Sequence, residues 1–331
     1  MSMNAGKKMD KFLNSDVVKK IIFSIFGIGC ISYAYSLYQF TPSSIMQVLS
    51  NFHYLEIGIA IILYLLSHTV RVLRLMLLNP LMEIKIRDLW KEQYKANGVN
   101  LLVPFKLGES YRLIYFKKFF GSYSNSFAVL LTERFLDLFV IFLFLSITLY
   151  FSNLDIPAIE YLFYISIFLL SAIVITLYVF DEFLILLHKI FLSKPTTNLT
   201  VNVIEFTGNL IKAIKKIKFI LHNKYISCLF VSLSIWLLEI SAFFIFLDLL
   251  GYKYDLMIFL ALSVSFASLL PNAPLGYGGL QAAFYLIGEA SQVDELVSYS
   301  FVYSIYIFGS GLLVAGYLFI MDLIKTFQTS K

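Results

Sequence analysis

Three ionisable side chains stand at helical spacing in the middle of a largely apolar stretch, residues 96 to 120. They are Lys106, Glu109 and Arg112, which are three residues apart, so a helix would place them on one face. That face is too charged to meet lipid, and ionisable groups at membrane depth usually mark a functional site. Two interpretations are open: the side chains line a polar site, or Glu109 pairs with Lys106 or Arg112 to hold the stretch closed.

Further charged residues occur at helical spacing in two other apolar segments. They are Arg71, Arg74, Glu133, Arg134 and Asp137. A guanidinium matches the geometry of a phosphate, so the arginines suit an anionic headgroup. The alternative, which we favour for Arg74, is that the side chain extends to the cytoplasmic interface of a membrane. Glu133 and Asp137 are placed to neutralise Arg71 and Arg74.

A second interrupted stretch, Ser265 to Phe284, contains two prolines and three glycines. These residues break helices, and lipid cannot satisfy the backbone groups that a break frees, so the stretch must line a cavity or be buried in protein. A half-helix that begins near Gly278 would direct its backbone amides at a phosphate or carboxylate. The alternative is that Gly276, Gly278 and Gly279 only allow close packing of helices.

The sequence shows no catalytic constellation. Its four histidines are scattered, it has no nucleophile elbow, and Cys30 and Cys228 suggest neither a disulfide nor a metal site. Glu239, inside an apolar segment, can relay protons or pair with an arginine. We therefore predict no catalytic residue, metal ion or cofactor. A membrane transferase that works with a few carboxylates is an open alternative.

The composition is that of a polytopic membrane protein. Of the 331 residues, 59% are hydrophobic and 14% are charged, whereas soluble domains carry about 25% charged residues. The net charge of +5 does not indicate a nucleic-acid partner, because the Lys and Arg residues lie mostly between the apolar segments. The composition therefore predicts an all-α protein that is embedded in a membrane.

Six segments are long enough to cross a bilayer as helices, which takes about 20 apolar residues. They are Ile21 to Phe40, Leu55 to Leu78, Phe127 to Phe151, Ala158 to Phe180, Tyr225 to Leu250 and Val297 to Met321. The two interrupted stretches, residues 96 to 120 and 256 to 290, are broken by proline and glycine. We predict that each is a re-entrant hairpin of two half-helices.

The basic residues set the predicted orientation. If the six spans alternate in direction, nearly all Lys and Arg outside the spans fall on one side, and the other side has only Lys253. Because cytoplasmic loops carry an excess of Lys and Arg, both termini are predicted to be cytoplasmic, in a multi-pass protein of the cell membrane.

This topology predicts an inverted repeat within a single membrane domain, residues 1 to 331. One half spans residues 21 to 151 and contains the hairpin 96 to 120, which enters from the cytoplasmic side. The other half spans residues 158 to 321 and contains the hairpin 256 to 290, which enters from outside. Opposed repeats of this kind are typical of transporters with a binding site at the middle of the membrane.

The cytoplasmic loop between the halves, residues 181 to 224, contains a predicted amphipathic helix. Isoleucines and a leucine from residue 204 to 221 share one helical face, with lysines alongside. We expect this helix to lie in the headgroup region of the membrane. A solvated linker helix is the alternative.

At the two hairpins the sequence resembles the lysylphosphatidylglycerol synthase transmembrane family, which is also described as flippase-like. The family shows Pro-x-Arg-x-Gly-Glu-x-x-Arg, then Glu-Arg-x-x-Asp at the next span. Pro104, Lys106, Gly108, Glu109 and Arg112 match the first motif, with Lys in place of its first Arg, and the sequence from Glu133 to Asp137 matches the second motif fully.

A further family motif is similar to the second hairpin. It reads Pro-Gly-Gly-x-Gly-x-x-Glu, and here Pro274, Gly276 and Gly278 are in register, while Leu275 replaces a Gly and Gln281 replaces the Glu. The loss of that carboxylate indicates a different substrate or a different step at this place. No soluble aminoacyl-transfer domain of the family is found in these 331 residues, so we do not expect synthesis of lysyl-lipid.

The resemblance implies a translocase for a membrane lipid or a lipid-linked saccharide. The anionic headgroup of a phospholipid or polyprenyl-phosphate-linked substrate would bind between the hairpins, at Lys106, Glu109, Arg112, Arg71, Arg134, Asp137, Pro274, Gly276, Gly278 and Gln281. Two alternatives are a membrane-embedded transferase acting on such a headgroup, and a non-transporting partner of an envelope polysaccharide assembly. The partner would be a glycosyltransferase in that case, and a homo-oligomer is also open.

Overall fold

A computed structural model describes residues 54–79, 85–103, 108–151, 157–193, 197–248, 260–265, 279–291 and 296–329. These residues are almost entirely helical and contain no β-strand. The all-α prediction is therefore confirmed for the described residues. The first predicted span, Ile21 to Phe40, lies outside them.

The described residues form nine α-helices and two shorter helical segments. In chain order they are α1 (Tyr54–Leu78), α2 (Ile86–Leu102), α3 (Gly108–Phe120), α4 (Tyr123–Phe151), α5 (Pro157–Leu192), α6 (Asn198–Asp248), α7 (Gly279–Ser291), α8 (Leu296–Tyr303) and α9 (Gly309–Thr329). A short helical segment covers residues 260–265, and one π-helical segment, Ser304–Phe308, joins α8 to α9.

Three described stretches are long and apolar enough to cross a membrane: Tyr54–Leu78, His222–Leu247 and Ser298–Lys325. They correspond to the predicted second, fifth and sixth spans. The predicted third and fourth spans are the continuous helices α4, of 29 residues, and α5, of 36 residues. Helix α5 continues twelve residues past Phe180, where the predicted span ended, because the sequence that follows, up to Leu192, keeps a helical pattern of large apolar residues.

Helices α1 and α6 make the most extensive contact between the described helices. Helix α1 runs antiparallel to the second part of α6: Ser67 bonds to Glu239, whereas Arg74, two turns later in α1, bonds to Ser232, two turns earlier in α6. Helix α4 packs against α6 and is joined to α1 by the ion pairs of Arg74. Two apolar clusters fill the contact, one around Tyr64 and Phe243 and one around Leu75 and Phe116.

The predicted interfacial helix lies in the first part of α6, which bends at Lys224, whose backbone is not helical. Leu210, Ala213 and Ile214 of this part are buried in the same cluster as residues of α1 and α3, so protein covers part of its apolar surface. Its position in the headgroup region of the membrane stays a prediction, because an amphipathic pattern does not distinguish a lipid covering from a protein one.

The predicted first hairpin consists of the two contacting helices α2 and α3. Helix α2 begins at Ile86, ten residues before the predicted start at Ala96. It ends at Leu102, where the extended backbone of Val103 stops the helix, and its Val103 amide donates to the Val99 carbonyl oxygen. The turn with Pro104 and Lys106 lies outside the described residues.

Close approach between α2 and α9 depends on small residues. The two helices run antiparallel, with Gly98 against Ala315 and Leu101 against Gly311. A Cβ added at Gly98 would overlap with the Ala315 side chain, so the helices can reach this distance only because Gly98 has no side chain.

Replacing Gly98 with alanine is therefore expected to lower the free energy of unfolding by about 1–3 kcal/mol, because an added methyl group must push α9 away. The apparent melting temperature of the purified protein in detergent measures this. Gly316→Ala on α9 is the matched control, since no neighbouring atom among the described residues lies within 4 Å of a Cβ added there. Equal melting temperatures for the two variants would show that the α2–α9 contact is loose.

The second predicted hairpin is described only at its ends, residues 260–265 and α7. Leu260, Val264, Leu280 and Phe284 from these ends are buried together with residues of α6. The part that contains Pro274, Gly276 and Gly278 lies outside the described residues.

Candidate functional site

Helix α1 carries two arginines that face the protein interior. Arg71 and Arg74 are one turn apart, and the side chain of Arg74 is fully buried. The expectation that Arg74 extends to the membrane interface is therefore wrong. Its guanidinium has carboxylates within reach inside the protein, and a buried charge that is paired and hydrogen-bonded is stable there.

The partners of Arg74 come from α4. Arg74 donates to Asp137 at 2.7 Å and to Glu133 at 3.1 Å, and it also donates to the Ser232 hydroxyl of α6 at 3.2 Å. The prediction that Glu133 and Asp137 neutralise the arginines of α1 is confirmed. Both carboxylates are buried, because they are one turn apart on the face of α4 that packs against α1.

Helix α3 adds a second arginine to Glu133. Arg112 donates to the Glu133 carboxylate at 2.5 Å and to Glu109 of its own helix at 3.3 Å. Glu109 in turn accepts a hydrogen bond from Arg134 of α4 at 2.6 Å. Both readings of Glu109 that the sequence left open are thus compatible with the geometry: it pairs with Arg112, and it belongs to a polar cluster.

Arg134 closes a ring of alternating charges, because it also lies 3.4 Å from the Asp137 carboxylate. We call this arrangement the ion ring; its members, in order around the ring, are Arg74, Glu133, Arg112, Glu109, Arg134 and Asp137. Each member contacts an oppositely charged neighbour on both sides. The ring joins α1, α3 and α4.

The ion ring is open to its surroundings at one edge. The side chains of Arg134 and Glu109 are 32% and 27% exposed, whereas the other four ring side chains are 4% exposed or less. The buried members lie where α1 packs against α4 and α3. Among the described residues of the ring, a ligand can therefore reach those at the Glu109–Arg134 edge.

Arg71 extends the ring toward α6. It donates to Glu239 at 2.7 Å and lies 3.6 Å from Asp137, and its guanidinium stands over the Trp236 ring at 5.5 Å. Glu239 also accepts a hydrogen bond from Ser67. Of the two roles left open for Glu239, pairing with an arginine is the one that the structure shows.

The described cluster is electrically balanced. The ion ring has three arginines and three carboxylates, and the Arg71–Glu239 pair adds one of each. The sequence suggested a cationic site, since it weighted the arginines over their partners. A headgroup that enters this cluster instead meets arginines that already hold carboxylates.

Uncharged residues orient the ring, and sequence reasoning missed them. Trp236 donates to Asp137 at 3.0 Å, Asn100 donates to Glu109 at 3.2 Å, and the Gln93 side-chain oxygen accepts from Arg112 at 3.3 Å. Asn100 lies in the same motif stretch as Glu109, so the sequence could have indicated that the two residues are close. It could not have indicated the contacts of Trp236 and Gln93, because these depend on the tertiary structure.

A second charged network joins the hairpin to α9. The Glu92 carboxylate accepts hydrogen bonds from Lys95, Lys118 and Tyr111, and Lys95 also donates to Asp322 of α9 at 2.5 Å. Burial by itself raises the pKa of Glu92, but the ammonium groups of Lys118 and Lys95 hold that pKa below its usual value. The hairpin is thus tied to the rest of the described protein by charge as well as by packing.

The remaining predicted site residues do not join the ring in the described residues. Lys106, Pro274, Gly276 and Gly278 lie outside those residues. Gln281 is buried in the first turn of α7, beside Leu280 of the core cluster shared with α6. In the part of the chain that the structure describes, no group of three or more His, Cys, Asp or Glu side chains is arranged to hold a metal ion.

Comparison with known proteins gives one match. The family described as "Lysylphosphatidylglycerol synthase TM region" matches residues 18–315, which is most of the chain. No curated protein and no solved structure matches it. The match and the three apolar helices together identify a multi-pass membrane protein whose family is associated with the handling of lipid headgroups.

Proposed function

Because the chain belongs to the family of the lysylphosphatidylglycerol synthase TM region, we propose that it is a translocase for a membrane lipid or a lipid-linked saccharide. It acts in the cell membrane with both termini in the cytoplasm. The observation that carries the proposal is the ion ring with its single open edge at Glu109 and Arg134. An ionic cluster built into apolar helices costs several kcal/mol per charge in desolvation, which favours a functional reason for it.

The open edge suits the phosphate of a lipid headgroup. Arg134 is held in place by Asp137 and is one-third exposed, so its guanidinium can present parallel N–H donors to phosphate oxygens. The acyl or prenyl chains of the same molecule stay among the apolar surfaces of the helices.

In this proposal the second interrupted stretch completes the site from the other half of the repeat. Pro274, Gly276 and Gly278, which lie outside the described residues, would supply freed backbone amides to the phosphate, and Gln281 would add a side-chain amide. Rocking of residues 21 to 151 against residues 158 to 321 then exposes the headgroup to each side in turn.

Replacing Arg134 with glutamine tests this function. The variant keeps a hydrogen-bonding side chain but loses the charge that holds the phosphate, and loss of a charge-assisted bidentate contact costs about 2–3 kcal/mol. We expect transfer of labelled phospholipid headgroups across reconstituted vesicles to fall at least tenfold. Lys118→Gln is the matched control, because Lys118 is a half-exposed cation of α3 that pairs with Glu92, outside the ring.

The control should retain the transfer rate of the unmodified protein when the two variants are compared at equal protein content in the vesicles. Transfer that is equally fast with Arg134→Gln and with the unmodified protein would refute the site. A conversion of the labelled lipid in detergent, where transfer has no meaning, would instead identify a transferase.

A further inference from the structure

Glu109 occupies the position at which a phosphate would bind to Arg134. One Glu109 carboxylate oxygen accepts the 2.6 Å hydrogen bond from Arg134, and the other accepts from Arg112 at 3.3 Å. A carboxylate and a phosphate present the same kind of acceptor to a guanidinium. The exposed face of the ion ring therefore already contains an anion supplied by the chain itself.

We propose that Glu109 is an internal competitor for the headgroup phosphate, and that binding of the lipid displaces its carboxylate from Arg134. The inference rests on the proposed function and specifies the chemistry of its site: the ligand is a phosphate anion, and its entry breaks one ion pair.

Charge balance leads to this exchange. The cluster has equal numbers of arginines and carboxylates, so an added phosphate produces an excess of negative charge unless one carboxylate moves away. Repulsion between two anions a few ångströms apart is strong where water is scarce. The site thus discriminates between a ligand that can displace a carboxylate and one that cannot.

Of the three ring carboxylates, Glu109 is the one best placed for this movement. Glu133 and Asp137 are buried, each is held by two or more donors at 3.2 Å or less, and moving either would break a short contact with a buried arginine. The Glu109 carboxylate is 27% exposed, and its bonds to Arg112 and Asn100 are long, at 3.3 and 3.2 Å. It can turn toward water while Arg112 stays paired with Glu133.

The test uses Glu109→Gln in the full-length protein. The amide keeps an oxygen that Asn100 can donate to, but it removes the competing charge. We expect the dissociation constant for a short-chain phosphatidylglycerol to fall about tenfold with Glu109→Gln and to rise about tenfold with Arg134→Gln. Asp322→Asn is the matched control, because it removes one carboxylate, at 45% exposure, from the other charged network and should leave the constant unchanged.

The outcomes separate this inference from the proposed function. If Glu109→Gln weakens binding as Arg134→Gln does, Glu109 positions the site and the exchange is wrong, while the translocase proposal stands. If Arg134→Gln changes neither binding nor vesicle transfer, the proposed function fails as well. Inorganic phosphate is the second probe: competition by it at the same concentration as the short-chain lipid would show a site for the small anion, and would overturn a lipid headgroup as the ligand.

Discussion

Replacement of Arg74 with alanine is expected to lower the free energy of unfolding by about 3–5 kcal/mol, the largest effect of any single change considered. The guanidinium is fully buried and bonds Asp137, Glu133 and Ser232. Its removal leaves two buried carboxylates facing each other without their shared cation, which costs far more than the net strength of an intact ion pair. In detergent the apparent melting temperature should fall by about 5–10 °C.

The comparison for this variant is Arg134→Ala. Arg134 belongs to the same ion ring and makes the same number of ring contacts, but it is one-third exposed, so water can solvate the carboxylates that it leaves. We expect its melting temperature to stay within about 3 °C of that of the unmodified protein. If both variants melted alike, the ring would not have the buried and open sides that the structure shows.

Replacement of Gly108 with alanine is expected to disrupt the first hairpin. A Cβ added at Gly108 would lie 2.6 Å from the backbone nitrogen of Asn100 and 2.7 Å from its Cα. Backbone atoms cannot move aside as a flexible side chain can, so α2 and α3 must separate. The expected loss is about 3 kcal/mol in the free energy of unfolding, the upper end of the range for overpacking.

Separation of α2 and α3 also moves Glu109, the residue next to Gly108, so Gly108→Ala should lose headgroup transfer together with stability. Gly58→Ala on α1 is the control, because among the described residues no neighbouring atom lies within 4 Å of a Cβ added there. A Gly108→Ala protein as stable and active as Gly58→Ala would mean that α2 and α3 lie farther apart than described.

Much of the ion ring could be predicted from the sequence, because charge in an apolar segment is rare enough to stand out. For this reason Arg74, Glu133 and Asp137 stand out in the sequence, and so do Arg71 and the Glu109–Arg112 pair. Helical spacing then placed Glu109 one turn from Arg112, and Glu133 one turn from Asp137, which the structure confirms.

What the sequence could not supply was the pairing across helices. Nothing local indicates that Arg112 meets Glu133, that Trp236 donates to Asp137, or that Lys95 meets Asp322 more than 200 residues away. The sequence also did not show which side chains are buried. Arg74 lies near the end of a predicted span, where an arginine can extend to the membrane interface, but α4 and α6 cover it in the structure. For the same reason the sequence suggested a cationic site, whereas the described cluster has equal numbers of positive and negative charges.

The fold, like the ion ring, was predictable from the sequence only in part. Hydropathy predicted α1, the second part of α6 and α9 because lipid imposes a long apolar run on any helix that crosses it. The sequence also predicted an amphipathic helix in the first part of α6, where Leu210, Ala213 and Ile214 pack with residues of α1 and α3, and its place at the membrane surface stays a prediction. The π-helical segment Ser304–Phe308, which joins α8 to α9, contains no proline.

Native mass spectrometry of the purified protein tests the central claim, that the open edge of the ion ring holds the headgroup of a phospholipid or lipid-linked saccharide. We predict that the unmodified protein and Lys118→Gln retain a lipid phosphate adduct, and that Arg134→Gln loses it. Retention of the same lipid in equal amount by Arg134→Gln would contradict the account.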